Sequence, residues 1–228
     1  MKRSNYVSAV LRIIVALISL FTVYNLLHVG GAHELIKFTL QSNFMLAVSF
    51  IWVAWSLLAR RQTPPEWLAG SAVFYLVVTG VVSNFVIGPA PRGSSPEIIF
   101  GLTNSDLEHI VTPLAALLIW IVFEEHRRIP WRYIGIWLLY LVAYLTVVLA
   151  LVTFGDSVDA PYPFLDVETL GWAGVLGQLA IFMAGFCAIA AVLITLDHVL
   201  PAGTRWSEYD PFDQPRKRTA AARVKAKA

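Results

Sequence analysis

The stretch that decides the fold of this chain is Lys37-Phe38-Thr39-Leu40-Gln41-Ser42-Asn43. It opens an apolar segment, residues 35–59, that is long enough to cross a bilayer as a helix. Polar side chains at membrane depth turn towards other helices or a wet cavity. Thr39, Ser42 and Asn43 share one face because i+3 and i+4 neighbours align on a helix. The stretch therefore predicts a membrane-spanning helix whose first turns present hydroxyl and amide groups to the protein interior.

The composition places the whole chain in the membrane class. Its 228 residues are 57% hydrophobic and only 14% charged, whereas a soluble domain would carry about a quarter charged residues. The chain has one cysteine, Cys187, which excludes an internal disulfide and a multi-cysteine metal site. Five more apolar runs are long enough to span a bilayer, namely residues 7–27, 67–88, 107–123, 131–154 and 173–200. We therefore expect an all-α polytopic protein with six transmembrane helices.

Two domains follow from the same pattern. Residues 1–203 form the predicted six-helix transmembrane domain, and residues 204–228 form a basic tail that we expect to be disordered and cytoplasmic. The Lys and Arg residues of this tail suit anionic lipid headgroups, so the predicted partners are the bilayer and its lipids, and not nucleic acid.

The distribution of Lys and Arg predicts the orientation, since positive residues concentrate in cytoplasmic connections. Fourteen of them lie in the N-terminus, the second and fourth loops and the tail, whereas Lys37 and Arg92 lie on the opposite side. An even number of helices places all four basic segments on one side. We therefore expect a multi-pass protein of the cell membrane with both termini cytoplasmic and the odd-numbered loops outside.

His109 marks a second polar position, at the start of the predicted fourth helix. Thr39 lies about four residues and His109 about three residues into their helices, so both are roughly 5–6 Å from the outer ends. An intramembrane ionisable residue is a functional hypothesis by default. Asp106 shares the face of His109 and is a candidate to orient the imidazole, although a carboxylate in a first helical turn is also favoured by the helix dipole. Ser105 and Glu108 match a capping box, which predicts that Glu108 caps the helix.

Pro113 predicts a break in the same helix. Because proline has no N–H, the carbonyl of His109 loses its helical partner and needs another donor. Further polar residues crowd into the outer half of the predicted bundle, which favours a pocket there; they are Asn25, His28, Thr79, Ser83 and Asn84. For any one of them, ordinary hydrogen bonding between helices is the alternative.

Three short motifs carry a family resemblance: Phe38-Thr39-Leu40-Gln41-Ser42-Asn43, His109-Ile110-Val111-Thr112-Pro113 and Pro161-Tyr162-Pro163-Phe164-Leu165-Asp166. With six helices in this spacing, the chain resembles the bacterial branch of the androgen-induced protein family, which includes the androgen-dependent tissue-factor-pathway-inhibitor-regulating protein. The resemblance implies a membrane hydrolase of fatty acid esters of hydroxy fatty acids. It also implies that the family's nucleophilic threonine is Thr39 and its histidine is His109. In animal members one more residue separates the histidine from the proline.

A threonine and a histidine together suit ester hydrolysis. A threonine hydroxyl needs a base to take its proton as it attacks. Neutral His109 can take that proton from Thr39 and return it to the leaving alcohol. Hydrophobic walls would hold acyl chains, so lipid esters are the expected substrates, and the chemistry requires no metal or cofactor.

The surrounding polar residues supply candidates for the rest of the site. Gln41, Ser42 and Asn43 are candidate donors to the tetrahedral oxyanion, and Asn43 is the best placed on the face of Thr39. Tyr162 and Asp166, in an outer loop, are candidates to cover the pocket or orient the histidine, and a plain interfacial loop is the alternative.

Two other classes of protein remain open at this point. A non-enzymatic lipid-binding or signalling bundle would use the same polar residues for stability alone. A b-type cytochrome would use histidines near both faces, but His126 lies among four charged residues, which is typical of a solvated loop.

Overall fold

A computed structural model describes residues 3–88, 96–155 and 158–202. The fold is 81% helical, and six helices within these ranges are long and apolar enough to cross a membrane. They are α1 (Arg3–Gly30), α2 (Phe38–Ala59), α3 (Glu66–Ile87), α4 (Asn104–Phe123), α5 (Tyr133–Phe154) and α6 (Val167–Val199). The predicted all-α polytopic architecture is thus confirmed. The predicted tail, residues 204–228, lies outside the described residues.

Three short elements connect the helices at one end of the bundle. A 3-10 turn at Ala32–Ile36 joins α1 to α2, and another at Pro163–Leu165 precedes α6. Before α4, strands β1 (Glu97–Ile99) and β2 (Leu102–Thr103) form an antiparallel hairpin. All three elements follow an odd-numbered helix, so they lie at the same end, which we call the hairpin end.

The core lies where α2 and α3 are enclosed by the other helices. α2 packs against α1 and α3, and α3 also contacts α4, α5 and α6. The Trp137 ring stacks on Phe74 with centroids 5.3 Å apart, and its indole N–H donates to the carbonyl of Trp67 at 2.9 Å. Since an indole N–H needs an acceptor when it is buried, this bond fixes α5 against the beginning of α3.

α2 begins later than the sequence predicted. Residues Ala32–Ile36 form a 3-10 turn and Lys37 has an extended backbone, so the helix starts at Phe38 rather than at residue 35. The Lys37 ammonium donates to the Glu34 carboxylate at 2.7 Å across this junction. Thr39 is therefore the second residue of α2, within the first turn, where backbone N–H groups have no helical acceptor.

α4 contains a π-helical turn over Leu107–Val111. The predicted break at Pro113 is confirmed, because the carbonyl of His109 accepts a hydrogen bond from the side chain of Asn84 in α3 at 3.1 Å. Close approach of the two helices requires Gly80, where an added Cβ would lie 3.1 Å from the His109 carbonyl oxygen. His109 is therefore held through its backbone by the neighbouring helix.

Buried polar contacts fasten the other end of the bundle. Arg12 in α1 is 1% exposed, donates to Ser8 and to Glu124 at 2.5 Å, and lies over the ring of Phe50. This buried arginine, which the charge pattern alone did not single out, ties α1 to the end of α4. A buried charge is tolerated only when it is paired and hydrogen-bonded.

The loop between α4 and α5 is fastened to α6 by Asp197. Its carboxylate accepts the backbone N–H groups of Arg128 at 3.0 Å and Ile129 at 2.9 Å, and lies 3.3 Å from His126 Nδ1. The other nitrogen of His126 is 3.0 Å from the carbonyl of Ile121. The Arg-rich loop therefore has a fixed position on the end of α6.

Candidate active site

Thr39 and His109 meet at the hairpin end. Thr39 lies in the first turn of α2 and His109 in the π-helical turn of α4, and Thr39 Oγ1 is 3.2 Å from His109 Nε2. Thr39 is 9% exposed. This distance is within the reach required of a nucleophile and its base. Their similar depth was predicted from the sequence, but the contact between α2 and α4 was not.

Ser105 fixes the orientation of the His109 ring. His109 Nδ1 is 3.1 Å from the carbonyl oxygen of Ser105 and 3.1 Å from its hydroxyl. Since a carbonyl can only accept, the proton of a neutral imidazole lies on Nδ1, and the lone pair of Nε2 points to Thr39. Ser105 was not among the residues predicted for the site. Its spacing, one helical turn before His109, was the available signal.

Asp106 does not orient His109, and the predicted capping box is wrong by two residues. The N-cap of α4 is Thr103, whose hydroxyl accepts from the Asp106 backbone at 3.2 Å. The Asp106 carboxylate in turn accepts the Thr103 N–H at 2.9 Å and its hydroxyl at 2.7 Å. The box therefore uses Thr103 and Asp106, because the hairpin brings Thr103 to the helix start, and neither Ser105 nor Glu108 caps the helix.

Glu108 is a buried wall of the site instead of a cap. It is 5% exposed, and its Oε2 accepts from the side chain of Asn104 at 3.2 Å. Its Oε1 lies 3.7 Å from His109 Nδ1, which is too long for a hydrogen bond. Asn104 accepts in turn from Asn25 at 3.3 Å, so α1 supports this wall.

Asn43 faces away from the cavity, contrary to its predicted role as the best oxyanion donor. Its amide donates to the carbonyls of Thr39 at 3.0 Å and Glu108 at 3.4 Å, and its oxygen accepts from Thr112 at 3.0 Å. With 1% exposure it has no contact with the cavity. Asn43 joins α2 to α4, which holds Thr39 and His109 at a fixed distance.

Ser42 and Gln41 also make contacts outside the cavity. The Ser42 hydroxyl pairs with that of Thr79 at 2.7 Å and donates to the carbonyl of Thr39 at 3.1 Å. Gln41 donates to the carbonyl of Leu35 at 2.8 Å and accepts from Tyr140 at 2.6 Å. Neither residue lines the cavity, so both are structural contacts between helices.

Tyr162 reaches the site from the 3-10 turn before α6. Its hydroxyl oxygen accepts the backbone N–H of Phe38 at 2.9 Å, and the Thr39 hydroxyl and N–H also face it. The neighbouring Tyr144 hydroxyl donates to the carbonyl of Ile36 at 2.8 Å. Burial raises the pKa of Tyr162, so this hydroxyl stays protonated near neutral pH. The turn is thereby pinned to the first residues of α2.

Asp166 does not reach the cavity. Its carboxylate accepts the backbone N–H of Thr169 at 3.0 Å and the Thr169 hydroxyl at 2.5 Å, which caps α6. These hydrogen bonds lower the pKa of Asp166. Of the two loop residues predicted to serve the site, Tyr162 is in place and Asp166 is an N-cap.

A cavity of about 490 Å³ adjoins the Thr39–His109 pair. This volume is within the range of small-molecule sites. The polar part is lined by Lys37, Thr39, Ser105, Glu108, His109 and Tyr162. The apolar part runs between α3, α5 and α6, and its walls include Val78, Val82, Leu141, Leu145, Phe182 and Phe186. One polar end with a nucleophile and one apolar arm together fit an acyl ester.

Three other histidines have protein partners unlike those of His109. His126 lies between Asp197 and the carbonyl of Ile121, and His198 Nε2 is 3.0 Å from the carbonyl of Ile129. His28 stacks on Tyr24. Within the described parts of the chain, no group of three or more His, Cys, Asp or Glu side chains is arranged to hold a metal ion.

Comparison with known proteins adds no assignment. No protein-family model matches the chain, and no curated protein or solved structure is significantly similar to it.

Proposed function

We propose that this protein is an integral membrane hydrolase of long-chain acyl esters, with Thr39 as nucleophile and His109 as general base. The observation that carries the proposal is the 3.2 Å contact between Thr39 Oγ1 and His109 Nε2, with the opposite ring nitrogen on the Ser105 carbonyl. A hydroxyl, a base and a group that orients the base are the parts that an activated nucleophile needs.

Acylation of Thr39 is the first half of the proposed reaction. Its oxygen attacks the ester carbonyl carbon while its proton moves to His109 Nε2, and the carbonyl electron pair moves onto oxygen. When that pair returns, the bond from carbon to the alcohol oxygen breaks. The leaving alcohol takes the proton from His109, and the acyl group remains on Thr39.

Water completes the reaction in the second half. It attacks the acyl carbon as His109 takes one of its protons, and the bond between Thr39 and the carbon then breaks. Thr39 regains its proton from His109. The sum is ester plus water giving a carboxylic acid and an alcohol, with the protein restored and no metal or cofactor consumed.

The family resemblance supports a narrower substrate class. The chain resembles the androgen-induced protein family in the motifs around Thr39, His109 and Tyr162, and we propose that it belongs to the bacterial branch of that family. Its substrates would then resemble fatty acid esters of hydroxy fatty acids, and the apolar arm between α3, α5 and α6 would hold an acyl chain.

We also propose that both termini are cytoplasmic and that the hairpin end faces outward in the cell membrane. Fourteen Lys and Arg residues lie in the N-terminus, the second and fourth loops and the tail, against Lys37 and Arg92 on the other side. In this orientation the cavity opens towards the outer leaflet, and the basic tail meets anionic headgroups of the inner leaflet.

The apolar arm of the cavity also favours a second candidate, a lipid-binding protein without turnover. In such a protein Thr39 and His109 would form a polar contact that contributes only to stability. The two functions differ in whether the bound ester is cleaved.

An esterase assay on a broad panel of lipid and reporter esters separates the candidates. Thr39→Ala and His109→Ala should each abolish nearly all turnover and remain folded in detergent. Thr146→Ala is the matched control, because its exposed hydroxyl bonds the carbonyl of Val142 in its own helix at 2.8 Å. Wild-type protein without turnover on the whole panel would favour the binding protein. Full activity in His109→Ala would indicate that the protein is an enzyme whose active site lies elsewhere.

A further inference from the structure

The negative charge that forms on the ester oxygen needs a hydrogen-bond donor, and the donors predicted from the sequence do not line the described cavity. Such a donor usually contributes a large share of the rate in acyl transfer. The amides and hydroxyls of Gln41, Ser42 and Asn43 are bonded to groups outside the cavity. The remaining candidate donors among the described residues are the backbone N–H groups of the first turn of α2 and side chains of other elements that face the cavity beside Thr39.

The Tyr162 hydroxyl meets this requirement. It lines the cavity, and its oxygen is 2.9 Å from the Phe38 nitrogen, at the residue before the nucleophile. The Phe38 group is a donor, so the Tyr162 oxygen is the acceptor in this bond. Tyr144 directs its own proton to the carbonyl of Ile36. In its bond with Phe38, Tyr162 uses only its oxygen, so its proton can turn from the neighbouring Thr39 and Tyr144 hydroxyls to a group that enters the cavity next to Thr39.

We propose that Tyr162 is a catalytic residue that donates its O–H to the oxyanion formed when Thr39 attacks an ester. This inference rests on the proposed hydrolase function. The tyrosine makes a hydrogen bond and transfers no proton: the electron pair that moves onto the ester oxygen returns when the alcohol leaves with the proton of His109. The N–H of Phe38, bonded to the Tyr162 oxygen, polarises that O–H and strengthens it as a donor.

The same contact has a structural alternative, in which Tyr162 only ties the turn before α6 to the start of α2. If Tyr162 only connects the turn to α2, its loss would weaken binding of the ester and of the tetrahedral intermediate equally. A donor to the oxyanion acts in the transition state alone, so its loss lowers kcat and leaves KM nearly unchanged.

The test compares Tyr162→Phe with Tyr75→Phe in the purified full-length protein. Tyr75 is the matched control, because its buried hydroxyl donates to the carbonyl of Trp137 in the core at 3.0 Å, away from the cavity. We expect Tyr162→Phe to lower kcat by about 10²- to 10³-fold with KM nearly constant, and Tyr75→Phe to keep wild-type kcat.

Two inhibitors provide a readout that a structural tie would not produce. A long-chain trifluoromethyl ketone forms a tetrahedral oxyanion on the nucleophile, whereas the matching unreactive amide imitates the bound ester. Tyr162→Phe should lower the affinity for the ketone by the same factor as it lowers kcat, and it should leave the affinity for the amide unchanged. Equal weakening of both inhibitors, or wild-type kcat, would overturn the proposal.

The controls keep this inference distinct from the proposed function. If Thr39→Ala retains full turnover, the hydrolase site itself is wrong. If Thr39→Ala is inactive and Tyr162→Phe is fully active, only the role of Tyr162 is wrong. Should Tyr162→Phe not fold, 3-fluorotyrosine at position 162 keeps the size and the hydroxyl. The fluorinated hydroxyl is a stronger donor. At a pH below the pKa of 3-fluorotyrosine, this variant should therefore have a higher kcat than wild type, and an unchanged kcat would contradict the proposal.

Discussion

Thr39 differs from two neighbouring hydroxyls, those of Ser42 and Thr79, because it faces a histidine. Ser42 and Thr79 bond each other and backbone carbonyls, which is the ordinary fate of a hydroxyl in a helix. The Thr39 hydroxyl instead faces the unprotonated nitrogen of His109. Thr39 also lies in the first turn of α2, next to the cavity. The environment of Thr39, and not its residue type, is what makes it the proposed nucleophile.

Removing either member of the pair should have nearly the full effect of removing both. Thr39→Ala and His109→Ala each disable the same step, in which His109 takes the proton of the attacking Thr39 hydroxyl. The double variant should therefore be scarcely slower than either single variant. Steady-state hydrolysis of one long-chain ester by the four proteins gives the comparison. Losses that multiply in the double variant would show that the two residues act independently.

Asn43→Ala should cost stability and little turnover per folded molecule. The substitution removes the bond from the Thr112 hydroxyl and the bond to the Glu108 carbonyl, whereas the Thr39 carbonyl keeps its bond from Ser42. Each lost hydrogen bond costs about 0.5–1.5 kcal/mol. Unfolding in detergent, followed alongside kcat, measures both effects. Wild-type stability with a loss of kcat of about 100-fold would instead identify Asn43 as an oxyanion donor.

At the scale of elements, the site depends on the irregular beginnings of α2, α4 and α6. The π-helical turn Leu107–Val111 and Pro113 free the His109 carbonyl for Asn84, which fixes the base from α3. The first turn of α2 receives Tyr162. The regular parts of the helices carry no residue of the proposed site except cavity walls.

Asp166→Ala should weaken the start of α6 in a pH-dependent manner. Hydrogen bonds from Thr169 lower the pKa of Asp166, so the folded state favours the carboxylate. The stabilisation is present above the unfolded-state pKa of about 4 and is lost as pH falls through the lower native pKa. Thermal unfolding should show the variant less stable than wild type at about pH 7, with the gap closing at acidic pH. A gap that is constant with pH would contradict this assignment.

At the scale of the whole molecule, the two ends of the bundle are built for different tasks. The hairpin end holds the cavity and the Thr39–His109 pair. The opposite end holds the buried contacts of Arg12 and Asp197, which fasten loops to helices. In the proposed function, the polar groups at the hairpin end face the substrate, and the contacts at the other end supply rigid connections.

The proposed topology is tested by cysteine labelling in intact cells. After Cys187→Ala, one cysteine is placed near Asp159, in the loop before α6, and another near Arg127. The basic loops are expected in the cytoplasm, so an impermeant thiol reagent should label the first position and not the second. The reverse pattern would place both termini and the basic loops outside, with the cavity in the cytoplasmic half.

The sequence predicted the six helices and the depth of Thr39 and His109 because apolar length and helical rise depend only on local sequence. It did not predict their contact, which depends on helix packing. The capping box was wrong because the hairpin brings Thr103 to the helix start. Asn43 was misassigned because a shared helix face does not reveal whether a side chain meets a cavity or the carbonyls of α4.

The residue that an active-site reagent modifies shows directly whether Thr39 is the nucleophile. Wild-type protein treated with a fluorophosphonate carrying a long alkyl chain should carry one adduct, which peptide mass spectrometry locates on Thr39. Labelling should disappear in Thr39→Ala, fall strongly in His109→Ala and persist in Thr146→Ala. Equal labelling of Thr39→Ala, or an adduct mapped to another residue, would contradict the claim.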